Sequence, residues 1–413
     1  MAGNDNTGTS LMDRRCFVLR AGLLAAGSAF GCSLVGCDEL EGGLYIPCLS
    51  VVPAPVPVAG MTYVRASQIG CALDCNLNNG SNKYTLGAAT DDGPRINAAM
   101  AGATASNPIT LIIDGSALIS GLFLPAGGYW SIVGLGCGTG FFVKTGTNND
   151  GIHNGGPNAA VPSDPGPPAP VRGSNVSLSN FTLNGNQGNG RNGDSTTGAT
   201  QGKIGLVWYF GINLMNLNNI IIENVVVVNS PSYHIRLSNC GNVTVSGCVM
   251  ISSGPNTDGL HFDGPANDIA IPNCSFTTGD DAIALNCPEG SSGNISRVEV
   301  TNCTFNSPTL IRLDTIGYSG SSNKFYINTV TVSNCTGTFS GVPLQIGDGE
   351  GSNLNSVTAL MISDCTLMAQ AILDVYANFG TIEFSNVTFI PSSFSAPPAS
   401  PLYEDPNLNT ITG

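Results

Sequence analysis

The sequence predicts an all-β fold, a right-handed parallel β-helix with a short N-terminal capping helix, and three observations lead there. A unit recurs from about residue 175 to 390: an Asn, an alternating apolar strand, a small polar pivot and a second strand. The pivots Asn224, Gly247, Asn273, Asn302, Asn334, Asp364 and Asn386 lie 23, 26, 29, 32, 30 and 22 residues apart. A propeller repeats at roughly 40 residues or more, and a sandwich carries Asn-Gly hairpins. About 22 to 30 residues with three short strands suits one coil of a parallel β-helix. The pivot residues tolerate the left-handed backbone conformation that a tight bend between strands needs. The residue after the pivot is Cys248, Cys274, Cys303, Cys335 and Cys365 on five successive coils. Alternation turns each of these inward, and parallel strands stack about 4.8 Å apart. The cysteines should therefore form an internal ladder of small apolar thiols, packed rather than bridged.

The remaining elements follow in chain order. Residues 1–37 read as an export signal. Arg14, Arg15 and the following Cys16 to Leu19 resemble a twin-arginine motif, ahead of an apolar stretch from Ala21 to Val35. Leu34 to Cys37 resembles a lipobox, with Cys37 the lipidated residue; the competing reading is an uncleaved N-terminal membrane anchor. The expected location is the cell envelope, as an exported lipoprotein held to the membrane by its lipid. Residues 38–60, with Pro53, Pro55 and Pro57, read as a stiff tether, and residues 61–390 as the β-helix domain. Asp91 to Pro94 reads as a helix start, with Ile96, Ala99 and Met100 on one face to close the open end. Loops 146–173 and 185–202 are long, and such insertions often wall a binding face. Residues 391–413 read as a tail along the outside. Of the other cysteines, Cys71 and Cys75 flank a short loop and are the better candidates for a disulfide.

Composition narrows the function. Only 10% of residues are charged and the net charge is −14, with 14 Lys and Arg. No basic footprint for nucleic acid is present. With 42% hydrophobic residues a large core is available. The three histidines and the cysteines form no cluster with zinc spacing, so no metal and no cofactor is expected.

In so uncharged a chain, one cluster of polar residues stands out. It runs over three coils: Asn229 to Leu237, with His234 and Arg236; Pro255 to Asp263, with Asn256, Asp258 and His261; and Thr278 to Asn286, with Asp280 and Asp281. Alternation points Ile235 and Leu237 inward and His234 and Arg236 outward. Arg236, Asp258 and Asp280 are 22 residues apart, which predicts that they stack on one solvent-facing groove. Mutual repulsion among three carboxylates should keep one protonated near neutral pH. Carboxylates that merely cap the turns at the coil bends are the structural alternative.

Asn256-Thr257-Asp258-Gly259, followed by Gly279-Asp280-Asp281 and Asn286, resembles the polygalacturonase family, glycoside hydrolase family 28. Asn229-Ser230-Pro231 with His234, and the segments 91–101 and 112–136, extend the resemblance over most of residues 61 to 390. It implies a polysaccharide substrate and an inverting hydrolysis. Asp280 would protonate the leaving glycosidic oxygen, and Asp258 and Asp281 would activate water on the opposite face. His261 lies where the family often has Asp, and either contacts sugar or is solvated. Where the family has Gly-His-Gly, the matching stretch is Ser307-Pro308-Thr309-Leu310, with no histidine. Where its Arg-x-Lys uronate clamp belongs, Val342-Pro343-Leu344-Gln345 carries no charge; the one candidate, Ile311-Arg312-Leu313-Asp314, has Asp in place of Lys and lies about one coil earlier. Arg312 either grips an acidic sugar or neutralises Asp314 and the aspartate cluster. Two rival functions remain at this level. One is a polysaccharide lyase, which would pair Arg312 as base with calcium held by the aspartates. The other is a non-catalytic glycan-binding lipoprotein.

Overall fold

The computed structural model describes residues 37–39, 45–47, 51, 53–136, 138–155, 172–188, 209–289, 291–315, 325–347, 356–375, 378–392 and 411–412. The signal assigned to residues 1–37 lies outside these, except for Cys37, which begins a strand (Cys37–Glu39) paired antiparallel with Tyr45–Pro47. No helix among the described residues is long and apolar enough to cross a membrane.

The strands form a right-handed parallel β-helix. One face is a ten-stranded parallel sheet in strict chain order from Ser116–Ile119 to Thr388–Pro391. The other strands, joined across the coil corners, form an eighteen-stranded sheet. Parallel pairing at this scale requires like side chains to stack coil on coil. The inward row Ile212, Ile235, Leu260, Ile283, Ile311, Leu344 and Leu373 does so residue on residue. A second row runs Ile220, Val243, Ile269, Val298, Val330, Leu360 and Ile382. Both rows are buried, so each coil contributes apolar area to one continuous core rather than folding alone.

The pivots behave as expected. Asn180, Asn224, Gly247, Asn273, Asn302, Asn334, Asp364 and Asn386 all have φ between 52° and 60°. Their side chains also tie neighbouring coils: Asn224 Nδ2 donates to Asn180 Oδ1 at 3.3 Å, and Asn386 Nδ2 to Asp364 Oδ1 at 2.7 Å. The five cysteines after the pivots are buried and free. They stack, with Cys274 N–H donating to Cys303 Sγ at 3.4 Å and Cys303 N–H to Cys335 Sγ at 3.5 Å. The hydrogen bond with the neighbouring Cys303, and then burial, hold the Cys335 thiol up at about 12, which keeps it unreactive.

Cys71 and Cys75 correct an expectation. Both are free thiols. Cys71 turns into the central core, and Cys75 packs with Leu118 and Phe142 in a satellite cluster, so their side chains serve different cores instead of meeting.

The capping helix spans Gly93–Met100, with Ile96 and Met100 fully buried. It packs against the strands Ser116–Ile119 and Leu122–Leu124. Asp92 does not cap it; its carboxylate accepts the backbone N–H of Ala72 at 2.7 Å and of Leu73 at 2.9 Å. It thereby staples the preceding loop to the helix start. Of the tail, Pro391, Ser392 and Ile411–Thr412 are described; Pro391 ends the strand Thr388–Pro391, and Ile411–Thr412 pairs in parallel with Ile382 and Glu383.

Candidate active site

The strands Ile235–Ser246, Leu260–Pro272, Ile283–Asn286 and Ile311–Asp314 place the polar cluster on one face. Two glycines make the approach to it possible. A Cβ on Gly259 would sit 2.5 Å from both the Ala282 carbonyl oxygen and the Phe276 ring, and one on Gly279 would sit 2.2 Å from the Gly254 carbonyl oxygen. The turn before the second strand is then held by Thr257, whose Oγ1 donates to Gly254 O at 2.6 Å and accepts Gly279 N–H at 3.0 Å.

Register overturns the predicted stack. Leu260 pairs with Ile283, a step of 23 rather than 22, and Gly259 N–H donates to the Asp281 carbonyl. Asp258 and Asp281 therefore occupy equivalent places on successive coils, and Asp280 lies one residue earlier. Arg236 does not join that column either. It pairs with His261, in a row that continues through Ala284, Arg312, Gln345 and Asp374 and runs back through Asn213 to His153 and Phe123. Pairing follows the inward apolar row, and that row rather than a residue count sets which polar groups meet.

Burial is the second correction. His234 and Arg236 face away from the core rows, yet both are buried, and Asp258 and Asp281 are only 4% and 3% exposed. Asp280, Asn256 and Arg312 are half-buried. Asp280 is thus the most open of the three aspartates, and the cluster is not a solvent-facing row. Its Oδ2 accepts Asn256 N–H at 2.7 Å and its Oδ1 accepts Asp281 N–H at 3.1 Å. The first of these bonds bridges consecutive coils, as a turn-capping carboxylate would, and the second stays within the Asp280–Asp281 turn.

The electrostatics separate the aspartates. Burial, then the charge of Asp258, push Asp281 up to about 8 against the pull of Arg312, whose Nη1 lies 3.8 Å from Asp281 Oδ2. Burial pushes Asp258 up to about 6, opposed by its hydrogen bond to His261 and increased by Asp280. One proton therefore stays on Asp281 near neutral pH while Asp258 is charged.

His234 is tied to the frame. Its Nδ1 lies 2.7 Å from the Asp258 carbonyl oxygen, and burial lowers its pKa to about 4, so the ring is neutral and Nδ1–H donates. His261 is buried with Nδ1 2.7 Å from Asp258 Oδ2. Its Nε2 lies 3.2 Å from Asp263 Oδ1 and 3.5 Å from Glu289 Oε2. Tyr233 stacks flat on the imidazole, 3.8 Å between ring centroids, and its hydroxyl donates to Glu289 Oε1 at 3.1 Å. Arg236 forms a buried ion pair with Asp263 and lies over the Phe210 ring at 5.5 Å. Sequence reasoning missed Asp263 and Glu289 as members of the site. With so few charges in the chain, any carboxylate within these coils was a signal.

Among the described residues, His261, Asp263 and Glu289 form one group whose ligand-type atoms lie within 4.8 Å of one another. The Arg236 guanidinium already sits on Asp263, and both ring nitrogens of His261 face carboxylates. Protein cations thus fill the role a metal would have there. A cavity of about 450 Å³ lies elsewhere, lined by Tyr129, Asn154, Arg172, Met215 and Asn216 among others, and no aspartate of the cluster borders it.

Ala282 N–H donates to the Thr309 carbonyl, so Thr309 takes the place next to Asp281 on the following coil. Arg312 pairs in register with Gln345. Its Nη2 lies 3.3 Å from Asp314 Oδ2, so Arg312 bridges Asp281 and Asp314.

The chain is thus a parallel β-helix that gathers three aspartates from two adjacent coils. The family model of the Glycosyl hydrolases family 28 matches residues 154–369, and the chain belongs to that family. It is 31% identical over 140 residues to a probable polygalacturonase of Arabidopsis thaliana, covering 33% of this chain and 30% of that one. It is 31% identical over 133 residues to a polygalacturonase of Medicago sativa, covering 31% and 28%. The matched segments thus span about a third of the length of these curated relatives. Among solved structures, the polygalacturonase from Erwinia carotovora superposes with a TM-score of 0.53 at 14% identity, covering 87% of this chain and 99% of that one. The exopolygalacturonase from Thermotoga maritima does so with 0.53 at 13%, covering 83% and 95%. These two likenesses concern the fold.

Proposed function

We propose that the chain is a glycoside hydrolase that cleaves a galacturonan-like or otherwise modified polysaccharide with inversion. Asp280, the most open carboxyl, enters the step in its protonated form and gives that proton to the leaving glycosidic oxygen. It is reprotonated after turnover by the proton taken from the attacking water. Asp258 and Asp281 hold and deprotonate the water that attacks from the opposite face. The observation that carries this reading is the pairing of Asp258 with Asp281 in register, one charged and one protonated near neutral pH. A buried pair in that state can take one proton from water without accumulating two charges. Family membership supports the chemistry, and the names of the relatives support a galacturonan-type substrate. Thr309 and Gln345, in place of the family's histidine and lysine, speak for a substrate other than plain polygalacturonate. Arg312 is a cation beside Asp281, its Nη1 3.8 Å from Asp281 Oδ2.

The test is a screen of released reducing ends across plant, algal and bacterial polysaccharides, with Asp280→Asn beside the native chain. Asp280→Asn should lose at least about 10²–10⁴-fold in turnover while its folded circular dichroism is unchanged. An active Asp280→Asn variant would leave Asp280 as a turn cap and end this assignment. For location, we propose an envelope lipoprotein anchored through Cys37, supported by the twin-arginine and lipobox patterns at their spacing.

A further inference from the structure

One histidine sits at the centre of the polar groups around the aspartates. His261 touches three carboxylates from three segments: Asp258 from the turn before its own strand, Asp263 from within that strand, and Glu289 from the loop after the next strand. A neutral imidazole offers one N–H and cannot donate on both sides. Carboxylates at both nitrogens therefore select the doubly protonated ring. The surroundings are built to hold that ring in place. Tyr233 covers one of its faces and is itself stacked on Phe210 at 5.0 Å. Asn286 Nδ2 donates to Glu289 Oε2 at 2.6 Å, fixing the far carboxylate.

We propose that His261 is a positioning residue: an imidazolium wedged between Asp258 and the Asp263–Glu289 side, which orients the Asp258 carboxylate and keeps it the charged member of the Asp258–Asp281 pair. This rests on the hydrolase reading above. The hydrogen bond takes up Asp258 Oδ2, leaving Oδ1 to face the water. Glu289 acts one step further out, by holding the proton on His261.

The charged and titratable groups around the pair are few. Asp258 faces His261, Asp280, Asp281, Arg312 and the Tyr233 hydroxyl, with His234 neutral on its carbonyl. His261 faces Asp258, Asp263 and Glu289, with Arg236 behind Asp263 and Arg312 near Glu289. Burial opposes the charge on His261, and Glu289 with the two aspartate hydrogen bonds outweighs it, which holds the ring well above its ordinary range. Glu289 is held low in turn: burial works against it, and His261, Asn286 and Arg312 prevail.

The experiment compares pH–rate profiles of the full-length chain with those of His261→Gln and Glu289→Gln, alongside imidazole and side-chain carboxyl NMR. Gln keeps a hydrogen-bond donor toward Asp258 and removes the charge. An adjacent opposite charge typically lowers a carboxyl by about 1–3 pH units. In His261→Gln the acidic limb of kcat should therefore move up by about that much, with kcat near pH 6 falling about tenfold or more and KM changing little. In Glu289→Gln the ring should lose its proton at lower pH, and Asp258 should titrate higher as it does. An unmoved acidic limb in a folded His261→Gln variant would overturn the proposal while leaving the hydrolase reading intact.

If no polysaccharide is cleaved, the hydrolase reading fails and the NMR arm still decides the pairing. The chain has three histidines, and the signal lost in His261→Gln identifies this one. It should keep both ring protons from pH 5 to 8. A ring that titrates near about 6.5, or an Asp258 carboxyl indifferent to His261→Gln and Glu289→Gln, would overturn the proposal.

Discussion

Replacing Asp281 by Asn should make the protein more stable and inactive at the same time. Asp281 is 3% exposed and keeps its proton to about pH 8 in the folded chain, whereas an unfolded aspartate releases it near about 3.9. Between those two values the folded state binds the extra proton, so stability is fully present below about pH 3.9 and is lost as pH rises towards 8. At about 1.36 kcal/mol per pH unit, the loss accumulated by pH 7 is on the order of 4 kcal/mol. Asn carries no proton to release and removes this loss, but it also gives up the attraction of Arg312. A net gain of about 1–3 kcal/mol at pH 7 is expected, with none near pH 3.5. Urea unfolding at several pH values measures it directly. The gap between variant and native midpoints should widen steadily from pH 4 to 8, while reducing-end release falls by about 10²–10⁴-fold. A constant gap across pH, or a variant less stable at pH 7 than at pH 4 relative to the native chain, would refute the buried-proton argument.

Three further outcomes can be measured, two from the same geometry and one from the export motifs of the sequence. Asp263→Ala leaves Arg236 charged and buried without its partner, and should lower unfolding stability by about 3–5 kcal/mol, read from a shifted urea midpoint. Arg312→Ala should raise KM more than it lowers kcat on an acidic polysaccharide and change KM little on a neutral one. Because Arg312 pulls both Asp258 and Asp281 down, its loss should also move the acidic limb of the pH profile upward. Arg14→Lys with Arg15→Lys should block translocation, and Cys37→Ala should release soluble protein. Membrane fractions that still contain lipidated chain in both variants would set the signal reading aside.

What the sequence determined by itself is whatever depends on one coil at a time. Asn, Asp or Gly at the pivots follows from a local backbone need, and Cys248 to Cys365 follow the pivot by alternation, so both were legible without coordinates. The identity of the cluster was legible as well, because carboxylates are scarce in this chain and the two aspartate motifs lie on adjacent coils. Which side chains meet was decided only in three dimensions. Coil lengths vary, and the pairing of Leu260 with Ile283 is set by burying the apolar row; a slip of one residue would turn that row outward. A step of 23 rather than 22 brings Asp258 to Asp281 instead of Asp280, and a step of 25 brings Arg236 to His261 instead of Asp258. Asp263 and Glu289 enter the site through the same rows and the loop beside them. Their roles depend on distance and burial, which residue spacing does not carry.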